Sequence, residues 1–174
     1  MCGIAGFFHT KQDYLENREY FSSVLDTMRK SLKHRGDDEH GIYLSSRCGL
    51  AHARLSIIDL ETGAQPMIRK AGENTCAIVH NGEIYNMKEL KEELMEKGVS
   101  FSTTSDTEVI LAGYMTEGIS FVEKLNGIFA TAIYDEALET LYLFRDRLGV
   151  KPLFFMRHED TLLFASELKG LFAY

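Results

Sequence analysis

The chain has no tryptophan, only two prolines, and just three cysteines in its 174 residues. Cys2, Cys48 and Cys76 are odd in number and show no CxxC spacing, which argues against a disulfide framework and against a cysteine-rich zinc site. The six histidines are scattered, with no HExxH or other paired spacing. Positive charge is in deficit: 19 Lys and Arg face 26 Asp and Glu, a net of −7, which argues against a nucleic-acid backbone or an anionic membrane surface as partner. No apolar run approaches the roughly 18 residues that would suggest a membrane-spanning helix. The opening "MCGIAGFF" lacks the basic start of a signal peptide, and "KQDYLENREY" ends the apolar stretch at once. No repeat, low-complexity tract or linker interrupts the chain. These absences point to a single domain over residues 1–174 in a reducing compartment, the cytoplasm.

What is present is a globular pattern, 45% hydrophobic, and long enough to bury a sizeable core. "IAGFF" reads as a short buried strand. Tyr20, Phe21, Val24, Leu25, Met28 and Leu32 recur at helical spacing, with Gly36 as a stop just beyond. "GIYL" and "CGLAHARLSIIDL" read as strand and loop. "TCAIVHNGEIYN" is strand-like and apolar on both faces, with Cys76 and Ile78 on one and Ala77 and Val79 on the other, so it is expected to be covered on both sides. Two helices follow. Asn86 is placed to cap the first with Glu89, and Gly98 to close it; Ser105 and Glu108 match a capping box for the second, which Gly118 ends. Then "GIFATAIYD", "TLYLFRD", "PLFFM" and "LLFAS" succeed one another with turn-length gaps, as antiparallel strands do. The order of strands, helices and strands implies an α+β fold: antiparallel sheet buried on both faces, with helices outside.

Four stretches carry residues that could do chemistry. Cys2 stands one cut from the terminus, and removing Met1 would put a free α-amine on the same residue as the thiol. An α-amine titrates near pH 8, so it could take the thiol proton without a separate histidine. In "HNGEIYN", Asn-Gly is either a hairpin turn or an oxyanion hole. In the second case the Asn81 amide and the Gly82 N–H converge on one developing negative oxygen, with Glu83 beside them. Arg54 is either a surface cation beside an edge strand or a bidentate clamp on a carboxylate. Asp106 either complements the helix dipole or receives an ammonium. As a pair, Arg54 and Asp106 would suit a free amino acid. Arg35, Asp37, Asp146 and Arg147 are expected to form ion pairs that shape loops.

Together, "MCGIAGFF", "HRGDDEHG", "LAHARLSIID", "HNGEIYN", "SDTEVIL", "LNGIFATAIYD", "RDRLGVKPLFF" and "FASELKGL" resemble, in this order, the N-terminal glutaminase domain of glutamine-hydrolysing asparagine synthetases. That is a class II glutamine amidotransferase domain of the N-terminal-nucleophile hydrolase type. The resemblance implies a four-layer αββα sandwich of antiparallel sheets. It carries the nucleophile onto Cys2 with its freed α-amine as base, and the oxyanion hole onto Asn81 and Gly82. It carries glutamine recognition onto Arg54, Ile57, Ile58, Glu83 and Asp106. No cofactor is implied for glutamine hydrolysis; ATP and magnesium would belong to a synthetase domain, whose pyrophosphate loop this sequence does not contain. The expected partners are L-glutamine and that synthetase domain, with a homodimer left open and no nucleic acid or membrane. Two rivals remain: the glutaminase domain of another class II amidotransferase, against which "RLSIID" speaks, and a catalytically silent module of the same fold. The family's usual HRGPD reads "HRGDD" here, with Asp37 in place of proline.

Overall fold

A computed structural model describes residues 1–55 and 63–174. Its first strand, β1 (Gly3–His9), lies at the centre of a sheet although it begins the chain. β2 (Glu39–Leu44) and β3 (Cys48–Arg54) form a hairpin on one side of it; β8 (Phe154–His158) and β9 (Thr161–Ala165) form a hairpin on the other. The order is β2-β3-β1-β9-β8, all antiparallel. The second sheet runs β4 (Met67–Ala71), β5 (Asn74–Ile84), β6 (Gly127–Asp135), β7 (Thr140–Arg145), also antiparallel.

Three apolar cores hold four layers together. α1 (Arg18–Ser31) and α4 (Leu168–Phe172) cover the outer face of the first sheet, where Leu25, Met28 and Leu32 pack with Ala5, Phe7 and Leu163. Tyr20 departs from the expected helical stripe: it is more than half exposed, one position off the buried face of α1. α2 (Met87–Glu96) and α3 (Asp106–Glu117) cover the outer face of the second sheet through Leu90, Leu94, Ile110 and Leu111, meeting Ile78 and Ile133. Between the sheets Ile4, Leu50 and Phe164 meet Ala77, Val79, Ala130 and Ala132. The expected two-faced strand is β5, with Cys76 and Ile78 toward the helices and Ala77 and Val79 toward the other sheet. The layers are therefore helix, sheet, sheet, helix.

Two helix ends differ from expectation. Asn86 makes no capping bond to α2; its side chain ties Lys124 O and Asn126 N instead, fastening the loop before β6. Ser105 does cap α3 by accepting from Thr107 N at 3.2 Å, but Glu108 turns away from the cap. It takes the N–H groups of Ser102 and Thr103, which order the segment entering the helix.

Candidate active site

β5 is longer than its neighbour β4. The pairing of the two ends at Met67 opposite Ile78, so the rest of β5 has an open edge. Phe129, opposite Gly82 on β6, donates its N–H to Asp146 Oδ2 and accepts at its carbonyl from Asp146 N–H, on the far side of β6. The Gly82 pair is thus a non-hydrogen-bonded one, and the N–H groups of His80, Gly82 and Ile84 face the open edge. His80 N donates to Gln65 Oε1 at 2.6 Å and Ile84 N to Asp106 Oδ2 at 3.2 Å, with Gly82 N between them. The hairpin reading of Asn81-Gly82 is overturned: both lie within β5, paired with Ala130 and Phe129. Glycine is required at 82 because a Cβ there would stand 2.3 Å from the Ile128 carbonyl oxygen and 2.6 Å from Phe129 Cα.

A cavity of about 270 Å³ opens where this edge meets the head of β1, the end of β3 and the start of α3. Cys2, Arg54, Asn81, Gly82, Glu83 and Asp106 all line it. The structure therefore brings six of the sequence-selected residues together; Ile57 and Ile58 lie outside the described residues. Gly3 pairs with Ala53, and one more step of that register sets Cys2 opposite Arg54. Cys2 is partly exposed, its Sγ 3.8 Å from Leu55 O. Burial pushes the Cys48 thiol up, and burial together with Asp135 pushes Cys76 up to about 12.

The backbone of Cys2 is anchored from the first helical layer. Arg35, on a 3₁₀ turn at Lys33–Arg35, donates from Nε to Cys2 O at 3.0 Å and from Nη1 to Glu167 Oε1 at 2.9 Å. Gly36 lets this turn press onto β3: a Cβ there would lie 2.2 Å from Arg54 C. The loop ion pairs expected of the charged motifs are rearranged accordingly. Asp37 pairs with Lys33, Arg147 donates to the carbonyls of Leu125 and Glu123, and Asp146 receives backbone N–H groups. Burial alone would raise the Glu167 carboxyl, but hydrogen bonds from Arg35, His34 and Lys169 hold it at about 2.

Arg54 is buried, with Nη1 held by Glu39. Glu83 is exposed at the rim. Asp106, the first residue of α3, is largely enclosed. That desolvation works to raise its carboxyl, yet the facing His80 and the N–H groups of Ile84 and Thr107 hold it below the ordinary range. Asn81 Nδ2 is buried without a hydrogen-bond partner among the described residues. Sequence reading missed His80, Gln65 and Lys151, which also line the cavity. The alternation along β5 carried a signal for His80 alone, placing it two residues beyond Ile78 on the helix-facing side. Buried His52 links the sheets, its Nε2 3.3 Å from the His80 carbonyl; burial lowers its pKa to about 3. Among the described residues, no three His, Cys, Asp or Glu side chains come together as a metal site.

Two antiparallel sheets between helical layers, with a cysteine heading the central first strand over a cavity, define the class: an N-terminal-nucleophile hydrolase fold. The glutamine phosphoribosylpyrophosphate amidotransferase of B. subtilis superposes with a TM-score of 0.79 at 23% identity, over 99% of this chain and 43% of that one. The chain belongs to the glutamine amidotransferase domain family, whose sequence profile matches residues 1–174. It is 42% identical over 172 residues to asparagine synthetase B [glutamine-hydrolyzing] of Escherichia coli, covering 98% of this chain and 30% of that protein. It is 38% identical over 174 residues to asparagine synthetase [glutamine-hydrolyzing] 3 of Bacillus subtilis, covering all of this chain and 28% of the relative. The chain thus spans less than a third of the length of these two relatives. No helix among the described residues is long and apolar enough to cross a membrane.

Proposed function

We propose that this chain hydrolyses L-glutamine to glutamate and ammonia through a thioester on Cys2. The observation that carries the reading is Asn81 Nδ2, a buried donor without a partner among the described residues, in the wall of the cavity that holds Cys2. An unsatisfied buried donor costs on the order of 1–3 kcal/mol. That cost is relieved when an oxyanion forms beside it.

In the mature chain Met1 is absent, so amine and thiol share residue 2. The amine takes the thiol proton, and Sγ attacks the side-chain amide carbon of glutamine. The carbonyl π electrons move onto oxygen, which receives hydrogen bonds from Asn81 Nδ2 and Gly82 N–H. Collapse of the adduct re-forms the carbonyl and breaks the C–N bond, while the ammonium returns its proton to the leaving nitrogen. Water then adds to the thioester with the amine as base, and glutamate leaves as Sγ regains its proton. Arg54 binds the substrate carboxylate and Asp106 its ammonium, with Glu83, Ile57 and Ile58 completing the head-group site.

This half-reaction calls for no metal or organic cofactor. Residues 1–174 form one domain that supplies ammonia to a longer asparagine synthetase in the cytoplasm. Its ATP- and magnesium-dependent step belongs to the additional length that such relatives carry, and a homodimer is compatible with that arrangement.

The test is ammonia release from glutamine together with intact mass. Loss of one methionine is expected. Cys2→Ala, which keeps the amine, should abolish turnover while the fold survives. Asn81→Ala should lower kcat by about 10²–10³-fold. Near-parental release by either variant refutes the reading.

A further inference from the structure

His80 and Thr131 sit directly opposite each other on β5 and β6, so the sheet register alone fixes their contact. Thr131 is fully buried, and His80 nearly so. His80 Nδ1 lies 2.8 Å from Thr131 Oγ1, the one side-chain hydrogen bond this hydroxyl makes among the described residues. A buried hydroxyl hydrogen needs an acceptor, and Nδ1 is the acceptor in reach. Thr131 therefore donates to Nδ1, which leaves the hydrogen on Nε2. That nitrogen faces Asp106 Oδ2 across a long contact of 3.5 Å, and it has no other partner among the described residues. The backbone at this position is tied as well: His80 N donates to Gln65 Oε1, and Gln65 Nε2 reaches Thr107 Oγ1 beside Asp106.

We propose that His80 is a positioning residue for Asp106: Thr131 sets its tautomer, and its Nε2–H holds Oδ2 against β5 so that the carboxylate meets the α-ammonium of a free amino acid. The inference rests on the reading of Asp106 as the ammonium acceptor. Oδ2 is then shared between Ile84 N–H and His80 Nε2–H, both on the strand side, and the acid is oriented before substrate arrives. His80 thus acts on which substrate is held, through Asp106, and makes no contact with the reacting atoms.

The experiment compares glutamine with its desamino analogue, 4-carbamoylbutanoate, as substrates of the purified chain. His80→Phe should raise KM for glutamine about tenfold, with kcat and the kinetics of the analogue little changed. His80→Gln, which can still present an N–H toward Asp106, should restore most of the glutamine KM. Asp106→Asn is run in parallel, and the double variant should be no worse than Asp106→Asn alone. An unchanged KM in His80→Phe beside a raised KM in Asp106→Asn overturns the inference. Unchanged KM in both overturns the reading of Asp106 itself. An equal loss for both substrates makes His80 merely structural and also overturns the inference. Should His80→Phe fail to fold, Thr131→Val decides: a glutamine-selective rise in KM supports the inference and parental selectivity overturns it.

Discussion

The two sheets bring different things to the cavity. The first delivers the thiol through backbone anchoring: β1 is laced between β3 and β9, and Arg35 grips the Cys2 carbonyl from the helical layer outside. The second delivers polar groups on an open strand edge and at a helix start: Asn81, Gly82 and Asp106. One half fixes where the Cys2 thiol stands, and the other fixes what it faces. The halves meet across a largely apolar interior, crossed by the polar link from His52 to the His80 carbonyl, and each lines only part of the cavity.

Arg54 and Asp106 come from opposite halves, so they test the comparison most severely. Arg54→Ala and Asp106→Ala should each weaken glutamine handling by about 2–5 kcal/mol, the usual cost of removing one partner of a buried charge pair. The loss should fall mainly on KM. Arg54→Ala should narrow the preference for glutamine over glutamine amide, and Asp106→Ala the preference over N-acetylglutamine. Parental selectivity in both variants would make these residues structural and leave the second sheet without a recognition role.

Thiol alkylation comes next. Cys48 and Cys76 are fully buried, and burial raises both thiols. Mass analysis of native protein should show one equivalent of iodoacetamide on Cys2 well before the others. Early labelling of Cys76 would mean that the second sheet opens more readily than its packing implies.

The smallest effect concerns the anchor of the first sheet. Glu167 is held at about 2 against an ordinary 4.5, so its stabilising contribution is complete above that ordinary value and fades as pH falls toward 2. Glu167→Gln should flatten the fall in melting temperature across this window and lower stability at neutral pH by about 1 kcal/mol, its partial exposure limiting the size. An unchanged acid limb would remove Glu167 from the anchor.

The sequence was most legible where periodicity speaks directly. The two-faced pattern of β5 and the closely spaced aromatic strands that follow were readable from the residues, and the order of eight motifs carried the layered sandwich. The gathering of Cys2, Arg54, Asn81, Gly82, Glu83 and Asp106 around one cavity follows from that order. The remainder depends on distant partners. Asn-Gly favours a turn only when no strand runs opposite it, and β6 does. Asn86 would cap α2 had the loop before β6 not claimed both ends of its amide. Arg35 reaches Cys2, and His80 reaches Asp106, across gaps that no local spacing encodes.

The central place of β1 has a consequence in time. Ala5 pairs with Ala165, so the strand that heads the site cannot be locked on both sides until residue 165 has been made. At about 5–20 residues per second of synthesis, residue 2 leaves the ribosome on the order of ten seconds before its last neighbour. During that interval β1 lacks one of its two neighbouring strands. On the proposed reading, Met1 is removed in that interval, before the sheet that positions Cys2 is complete.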